Sequence, residues 1–408
     1  MAASIKSINT SRILSKCQKS FIFPTIYSGI GLPEYISSRK LTSTTQQNYD
    51  IVVVGAGIVG MATARELLVR HPFLSVAVVE KESTISPHQS GHNSGVIHAG
   101  IYYTPGSLKA KLCVQGTELL YKYCDQNNVP YKKCGKLIVA VTPEEIPRLE
   151  VLFKRGMENG VKDMKMVESH QIKDIEPNCV GLKAIHSPHT GIIDYGEVTR
   201  SYGRTFEKAG GKIYLNFEVK KFDITKESSA GSKDGLAYPV TIRGDKQVPD
   251  PRFPFLGVHY TPRMNGDVWL GPNAVLAFKR EGYNLTDFNL KDTIDALSFS
   301  GLRKLAYRNL AFGIKEMYRG FNISATVKQL QRYVPVLQRS DVTRGPSGVR
   351  AQALNREGQL VDDFVFDKGE GDLGSRILHV RNAPSPAATS SLSIANMVTD
   401  KVEKTFNL

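Results

Sequence analysis

The first strong hydrophobic pattern along the chain is an unbroken β-branched run, Ile51-Val52-Val53-Val54, which opens directly into Gly55-Ala56-Gly57-Ile58-Val59-Gly60. A continuous apolar run without alternation fits a parallel strand buried on both faces. The glycines lead into Met61-Ala62-Thr63-Ala64-Arg65-Glu66-Leu67-Leu68, a good helix former, and a second apolar strand over residues 75–79 ends at Glu80. Alternation of strands and helices continues. The pattern predicts a strand at 135–141, a helix at 143–158, and a helix opened by Asp194-Tyr195-Gly196-Glu197, whose spacing is that of a capping box. That helix runs to about Lys208, and Gly210-Gly211 stops it. Residues 212–220 and 238–242 predict a meander, with a hairpin loop at 226–235. Residues 255–270 alternate as hairpin strands around Arg263-Met264-Asn265-Gly266-Asp267, with Asn-Gly as the turn signal. Residues 286–339 are helical. A last strand at 376–380 leads through Asn382-Ala383-Pro384-Ser385-Pro386 into a helix over 387–398. No internal repeat occurs.

Strand, glycines, helix, strand and terminal acid in this order form a dinucleotide-binding fingerprint. Gly55 permits the tight turn, Gly57 lets backbone approach a pyrophosphate, and Gly60 allows close helix–strand packing. The helix start then turns its N–H groups and positive dipole end to the phosphates. Glu80 suits both hydroxyls of an adenosine ribose, and without an adjacent Arg it argues against a 2′-phosphate. The fingerprint does not separate FAD from NAD. Two later segments favour FAD. Ser90-Gly91-His92-Asn93-Ser94-Gly95-Val96-Ile97-His98-Ala99-Gly100 is small, polar and broken by glycine, which suits a chain laid along an extended cofactor. At the C-terminus, prolines at a helix start leave a positive helix end with Ser385, Thr389 and Ser390 nearby, suited to the anion of a reduced flavin. An ordinary turn closing the sheet is the alternative there. The fold class is therefore α/β, with a Rossmann-like FAD-binding domain interleaved with a substrate domain built on an antiparallel sheet. The FAD-binding domain takes residues 49–125, 191–247 and 345–408, and the substrate or cap domain takes 126–190 and 248–344.

Charge adds a leader to this picture. The net charge is +14, and Lys6, Arg12, Lys16, Lys19, Arg39 and Lys40 against Glu34 place +5 of it in residues 1–48. This basic, Ser-rich stretch has the composition of an organelle transit peptide, with a disordered tail as the alternative. The other basic residues are scattered among acids, which excludes a nucleic-acid-binding face. A positive field favours encounter with an anionic substrate such as a dicarboxylate. Basic residues in the helical region, including Arg303, Lys304, Arg308, Lys315 and Arg319, suit either a cap on the substrate sheet or peripheral membrane contact for electron delivery to a quinone. Cys17, Cys113, Cys124, Cys134 and Cys179 have no CxxC spacing and read as reduced thiols. No metal is expected: the histidines lack ligand spacing, and the pair His88/His92 sits in a loop.

The stretch from Asn93 to Gly100 resembles the flavin-contacting segment of the D-amino-acid-oxidase/glycine-oxidase superfamily. Gly100-Ile101-Tyr102-Tyr103, Arg252-Phe253-Pro254-Phe255-Leu256-Gly257-Val258-His259, Gly271-Pro272-Asn273-Ala274-Val275-Leu276-Ala277 and Arg344-Gly345-Pro346-Ser347-Gly348-Val349-Arg350 resemble, more narrowly, the L-2-hydroxyglutarate dehydrogenase family. The resemblance covers the chain from about Tyr49 onward. It implies a mitochondrial enzyme that oxidises L-2-hydroxyglutarate to 2-oxoglutarate with FAD and passes electrons to an acceptor such as a quinone. A flavin amino-acid oxidase is the runner-up. Arg350 aligns with the superfamily's carboxylate-binding arginine. His98 and His259 are the candidates for the base or for polarising the hydroxyl, and either also suits a packing role. Lys279 and Arg280 are weaker candidates for a distal carboxylate. The chain departs from the family where Arg243-Gly244-Asp245-Lys246 passes straight into Gln247-Val248-Pro249-Asp250-Pro251. About fifty residues, several strands' worth, are expected to be missing there, leaving no buried parallel strand before the proline-rich junction. A shortened, catalytically impaired splice form is the alternative to an active enzyme.

Overall fold

A computed structural model describes residues 2–6, 47–220, 222, 240–244, 259–274, 277–279, 281–283, 287–348, 353–361, 363–368 and 376–408. Its centre is a six-stranded sheet in the order Lys212–Tyr214, Val76–Val79, Ile51–Val54, Val240–Gly244, Ile377–Asn382, Val365–Lys368. Neighbours run parallel through Ile377–Asn382, and Val365–Lys368 closes the edge antiparallel. Val76–Val79 is buried at every position, as a run with apolar side chains on both faces requires. The helix Ile58–Arg70 packs against Tyr195–Lys208 and Ser391–Phe406, and the last of these also meets Leu108–Asn127. Met61, Leu67, Tyr202, Phe206, Ile394 and Val398 fill the core between them.

Local chemistry sets the helix ends. Ser107 accepts from Ala110 N at 3.2 Å and caps Leu108–Asn127, which stops at Asn128 in the left-handed region. Asp194 caps Tyr195–Lys208 through Gly196 N at 2.8 Å and Glu197 N at 3.2 Å. The reciprocal half of the expected capping box is absent among the described bonds, because Glu197 turns outward to Arg200 and Arg204. Gly116 is required by packing: a Cβ there would lie 2.6 Å from Ser390 Cα and 2.8 Å from Thr389 O.

A second, antiparallel sheet takes Lys136–Ala140, Lys183–Ser187 and Lys165–Glu168, with Ile146–Glu158 against it. The expected hairpin forms from His259–Pro262 and Val268–Ala274, with Gly266 at φ +86° in its turn. Four helices between Leu290 and Leu330 follow it.

Several expectations are corrected. Val240–Gly244 does form a parallel strand, in register with Ile51–Val54 on one side and Ile377–Asn382 on the other. A central gap would strand two rows of backbone donors and acceptors, and this short alternating segment fills it. Among the described residues no meander forms: Lys212–Tyr214 is a parallel edge strand, broken soon after by Asn216 at φ +57°, and it does not pair with Val240–Gly244. Within the leader, Ala2–Lys6 is a strand between Val268–Ala274 and Thr343–Gly348, so these residues are not a disordered tail. The last helix begins at Ser391, not 387, and runs to Phe406. Residues 384–390 form a turn instead, held by Ala387 N to Pro384 O and Ser390 N to Pro386 O. The expected loop at 226–235, the stretch 252–258, Arg280 and Arg350 lie outside the described residues.

Candidate active site

The glycine turn is held at several points. Gly55, at φ +105°, donates its N–H to Val79 O at 2.8 Å, tying the turn to the next strand. A Cβ on Gly60 would overlap Gly55 O and lie 3.3 Å from Gly55 C, which is the close helix–strand approach expected of the fingerprint. Ala56 N donates to Glu80 Oε2 at 2.8 Å, and Glu82 N to Glu80 Oε1 at 3.1 Å. These bonds aim the buried Glu80 carboxylate beside the turn and leave it lone pairs for further donors. Among the described residues, the N–H groups of Gly57, Val59 and Gly60 meet no acceptor, and Ser86 Oγ is buried without a partner. Unspent amides at a helix start beside a glycine turn fit a pyrophosphate.

The segment after the turn runs from one end of this cradle to the C-terminal turn. Ser86 N donates to Ala56 O at 3.2 Å, and Ser90 Oγ accepts from Ile58 N at 2.9 Å. Asn93 spends its side chain within the loop, donating to Ser90 O at 2.8 Å and accepting from Gly95 N at 2.9 Å. It therefore shapes the segment in which Ser94 and Gly95 lie. Val96–Ile97 pairs with Gly191–Ile193. His98 N then donates to Thr389 Oγ1 at 3.1 Å, while Thr117 Oγ1 donates to His98 O at 2.7 Å. Tyr195 hydroxyl lies 2.7 Å from Thr389 Oγ1 and donates to Val96 O at 3.0 Å. Burial pushes the Tyr195 phenol well above its ordinary pKa, so it stays a neutral donor.

His98, Glu80 and the glycines are thus joined by one strip of chain. With its backbone pinned on both sides, His98 lines a small cavity together with Tyr102, Lys136 and Thr190. Thr389 serves as a clamp between His98 and Tyr195. Replacing it with valine keeps its volume but strips His98 N of its acceptor and leaves Tyr195 only Val96 O. A loss of about 1–3 kcal/mol in denaturant unfolding is expected, with serine in its place restoring most of it. Ser385 is exposed on the turn, and Ser390 is buried against Gly116 with its Oγ unpartnered.

His259 is half-buried at the far end of its strand, opposite Gly271. The turn end of that hairpin is what reaches the strip. Arg263 Nη1 donates to Asn93 O at 3.0 Å, and its guanidinium lies 4.1 Å over the Trp269 ring. Nothing in the sequence pattern singled out Arg263 beyond its place in a turn. Lys279 belongs to a turn whose Glu281 pairs with Lys81, next to Glu80, and with His88. Glu82, His88 and Glu281 bring three possible ligand atoms within 4.8 Å, but Lys81 pairs with both carboxylates and makes this an ion-pair cluster.

Comparison with known proteins agrees with this arrangement. The FAD dependent oxidoreductase family profile matches residues 50–238. The mitochondrial L-2-hydroxyglutarate dehydrogenase of Nematostella vectensis is 52% identical over 458 aligned positions, covering 98% of this chain and 100% of that protein. Its Homo sapiens counterpart is 50% identical over 421 positions, covering 90% and 91%. The first alignment spans 458 positions against 408 residues here, so at least 50 of them face no residue of this chain. Among solved structures, FAD-bound L-alpha-glycerophosphate oxidase from Mycoplasma pneumoniae superposes with a TM-score of 0.64 at 19% identity, covering 89% of this chain and 96% of that one. Glycine oxidase from Geobacillus kaustophilus gives 0.62 at 16% identity, covering 87% and 95%. At such identities these two structures show the shared fold.

Proposed function

Because the chain belongs to the L-2-hydroxyglutarate dehydrogenase family of FAD-dependent oxidoreductases, we propose that it oxidises L-2-hydroxyglutarate to 2-oxoglutarate in the mitochondrion. The carrying observation is the strip from Ser86 to His98, fastened to the glycine turn at one end and to Thr389 at the other. When bound, FAD supplies the hydride acceptor for the hydrogen on C2. The residues do the rest. The amides of Gly57, Val59 and Gly60 take the pyrophosphate, and Glu80 takes the ribose. Ser94, Gly95 and the turn carrying Ser385, Thr389 and Ser390 line the flavin end.

His98 is our candidate to receive the hydroxyl proton. An imidazole nitrogen can accept a hydroxyl proton, and the His98 backbone is immobilised within the segment that resembles a flavin contact. His259 is the second candidate. Arg350 takes the carboxylate next to the reacting carbon, on the resemblance of its motif.

Electrons leave for a quinone or similar acceptor at a membrane surface. Support comes from an exposed apolar row on Leu310–Phe321, namely Leu310, Ile314, Tyr318 and Phe321, each about 60% exposed, with Arg303, Lys304 and Arg308 on the preceding helix. The alignment shortfall favours a second reading, a shortened and impaired form.

One experiment separates the two readings. The purified full chain is expected to show flavin absorbance that bleaches anaerobically with L-2-hydroxyglutarate and not with the D-enantiomer. A colourless protein, or bleaching by both enantiomers, rejects the proposal.

A further inference from the structure

Arg263 is a cation in an unusual setting. It sits at the tip of the hairpin between His259–Pro262 and Val268–Ala274 and reaches across to the strip beside the proposed flavin site. One guanidinium nitrogen donates to Asn93 O at 3.0 Å. Gly95 is bare partly for its sake: a Cβ there would lie 2.6 Å from Arg263 Nη1 and 3.3 Å from its Cζ. Trp269 underlies the group at 4.1 Å, which holds the guanidinium against an aromatic face. The group is half-buried, and burial lowers its pKa, opposed by the charges of Asp194 and Asp267. Neither acid neutralises it directly. Asp194 caps a helix, and Asp267 accepts from Asn265. No carboxylate among the described residues comes within ion-pair distance of Arg263, and most of its N–H donors remain unspent, on atoms that still touch solvent-accessible space. A partly desolvated guanidinium anchored by one backbone carbonyl and an aromatic face is positioned to take a carboxylate fork.

We propose that Arg263 recognises the carboxylate of an acidic substrate that is remote from the reacting carbon, and so selects dicarboxylates over monocarboxylates. This deepens the functional reading above and rests on it for the position of the reaction. It also displaces Lys279 from that role, since the turn of Lys279 is tied through Glu281 to Lys81 and His88.

The test uses a built-in reporter, because Trp269 is the only tryptophan in the chain. Glutarate and butyrate are titrated into the full-length protein while tryptophan emission is followed. In the wild type glutarate is expected to shift the emission saturably. Arg263→Gln is expected to weaken glutarate about 100-fold, the scale of losing a charge-assisted pair, and to leave the weak butyrate response within about twofold. Arg263→Lys keeps the charge without the fork and is expected to lower the glutarate-to-butyrate preference about tenfold. Unfolding temperature confirms that each variant is folded; if the glutamine form is not, the lysine form decides. Equal weakening of both acids, or an unchanged preference, means Arg263 is only a latch between hairpin and strip, and the proposal fails. Oxidation of L-2-hydroxyglutarate by the wild type is scored separately. Glutarate selectivity without turnover overturns the reaction and keeps Arg263's role, and turnover with no selectivity change does the reverse.

Discussion

Gly60→Ala is expected to yield a protein that retains most of its secondary structure but carries almost no flavin. The new Cβ would overlap the carbonyl oxygen of Gly55 and lie 3.6 Å from Val53 Cγ1. The first obstacle is backbone, so no rotamer change relieves it. The helix Ile58–Arg70 must back away from the strand Ile51–Val54, taking the amides of Gly57, Val59 and Gly60 with it. Overpacking of this kind costs about 1–3 kcal/mol in stability. The larger consequence is for the cofactor, because the amides proposed as phosphate donors move together. Flavin per protein after purification, followed by FAD titration of the apoprotein, checks it; a fall in affinity of at least tenfold is expected on the scale of one to two lost charge-assisted bonds. Stoichiometric flavin at wild-type affinity would remove the glycine turn from the site.

The second large effect is expected from Gly116→Ala, a position far from any motif. Its Cβ would press on Ser390 Cα, Thr389 O and, at 3.0 Å, Ser393 Oγ. Two of these belong to the turn that carries the His98 clamp. Destabilisation of about 1–3 kcal/mol or more is expected in denaturant melts, together with weaker binding of free FAD. Gly313→Ala supplies the control, since nothing lies within 4 Å of its Cβ and it stands inside Leu310–Phe321. There alanine is expected to be neutral or slightly stabilising, by up to about 1 kcal/mol. Equal behaviour of the two variants would show that the packing at Gly116 is slack.

These two glycines show what could be read in advance. Gly60 stands in a pattern whose every part has a mechanical reason, and the turn around it folds as expected. Gly116 stands in an ordinary helical stretch, and what constrains it is a chain segment about 270 residues away. Local pattern carries no trace of such a contact. The same limit hid Arg263, which reads as a turn residue until the hairpin is set against Asn93. Val240-Thr241-Ile242-Arg243-Gly244 was misread for a different reason: alternation of polar and apolar residues usually marks a half-buried antiparallel strand. The start of the last helix moved because prolines can precede a tight turn as readily as a helix. His98 was legible as a candidate from its motif, while its backbone clamps to Thr389 and Thr117 needed the fold.

The order of strands in the central sheet has a consequence for how the molecule is made. Ile51–Val54 lies beside Val240–Gly244, which lies beside Ile377–Asn382, so neighbours in the sheet come from the beginning, middle and end of the chain. Such pairings close long loops and make assembly slow. A nascent chain emerging from the ribosome cannot complete this layer until its final segment is out. Any product terminated before residue 377 would expose a long hydrogen-bonding edge, and premature stop variants are expected to be degraded or to aggregate instead of accumulating as partly active enzyme.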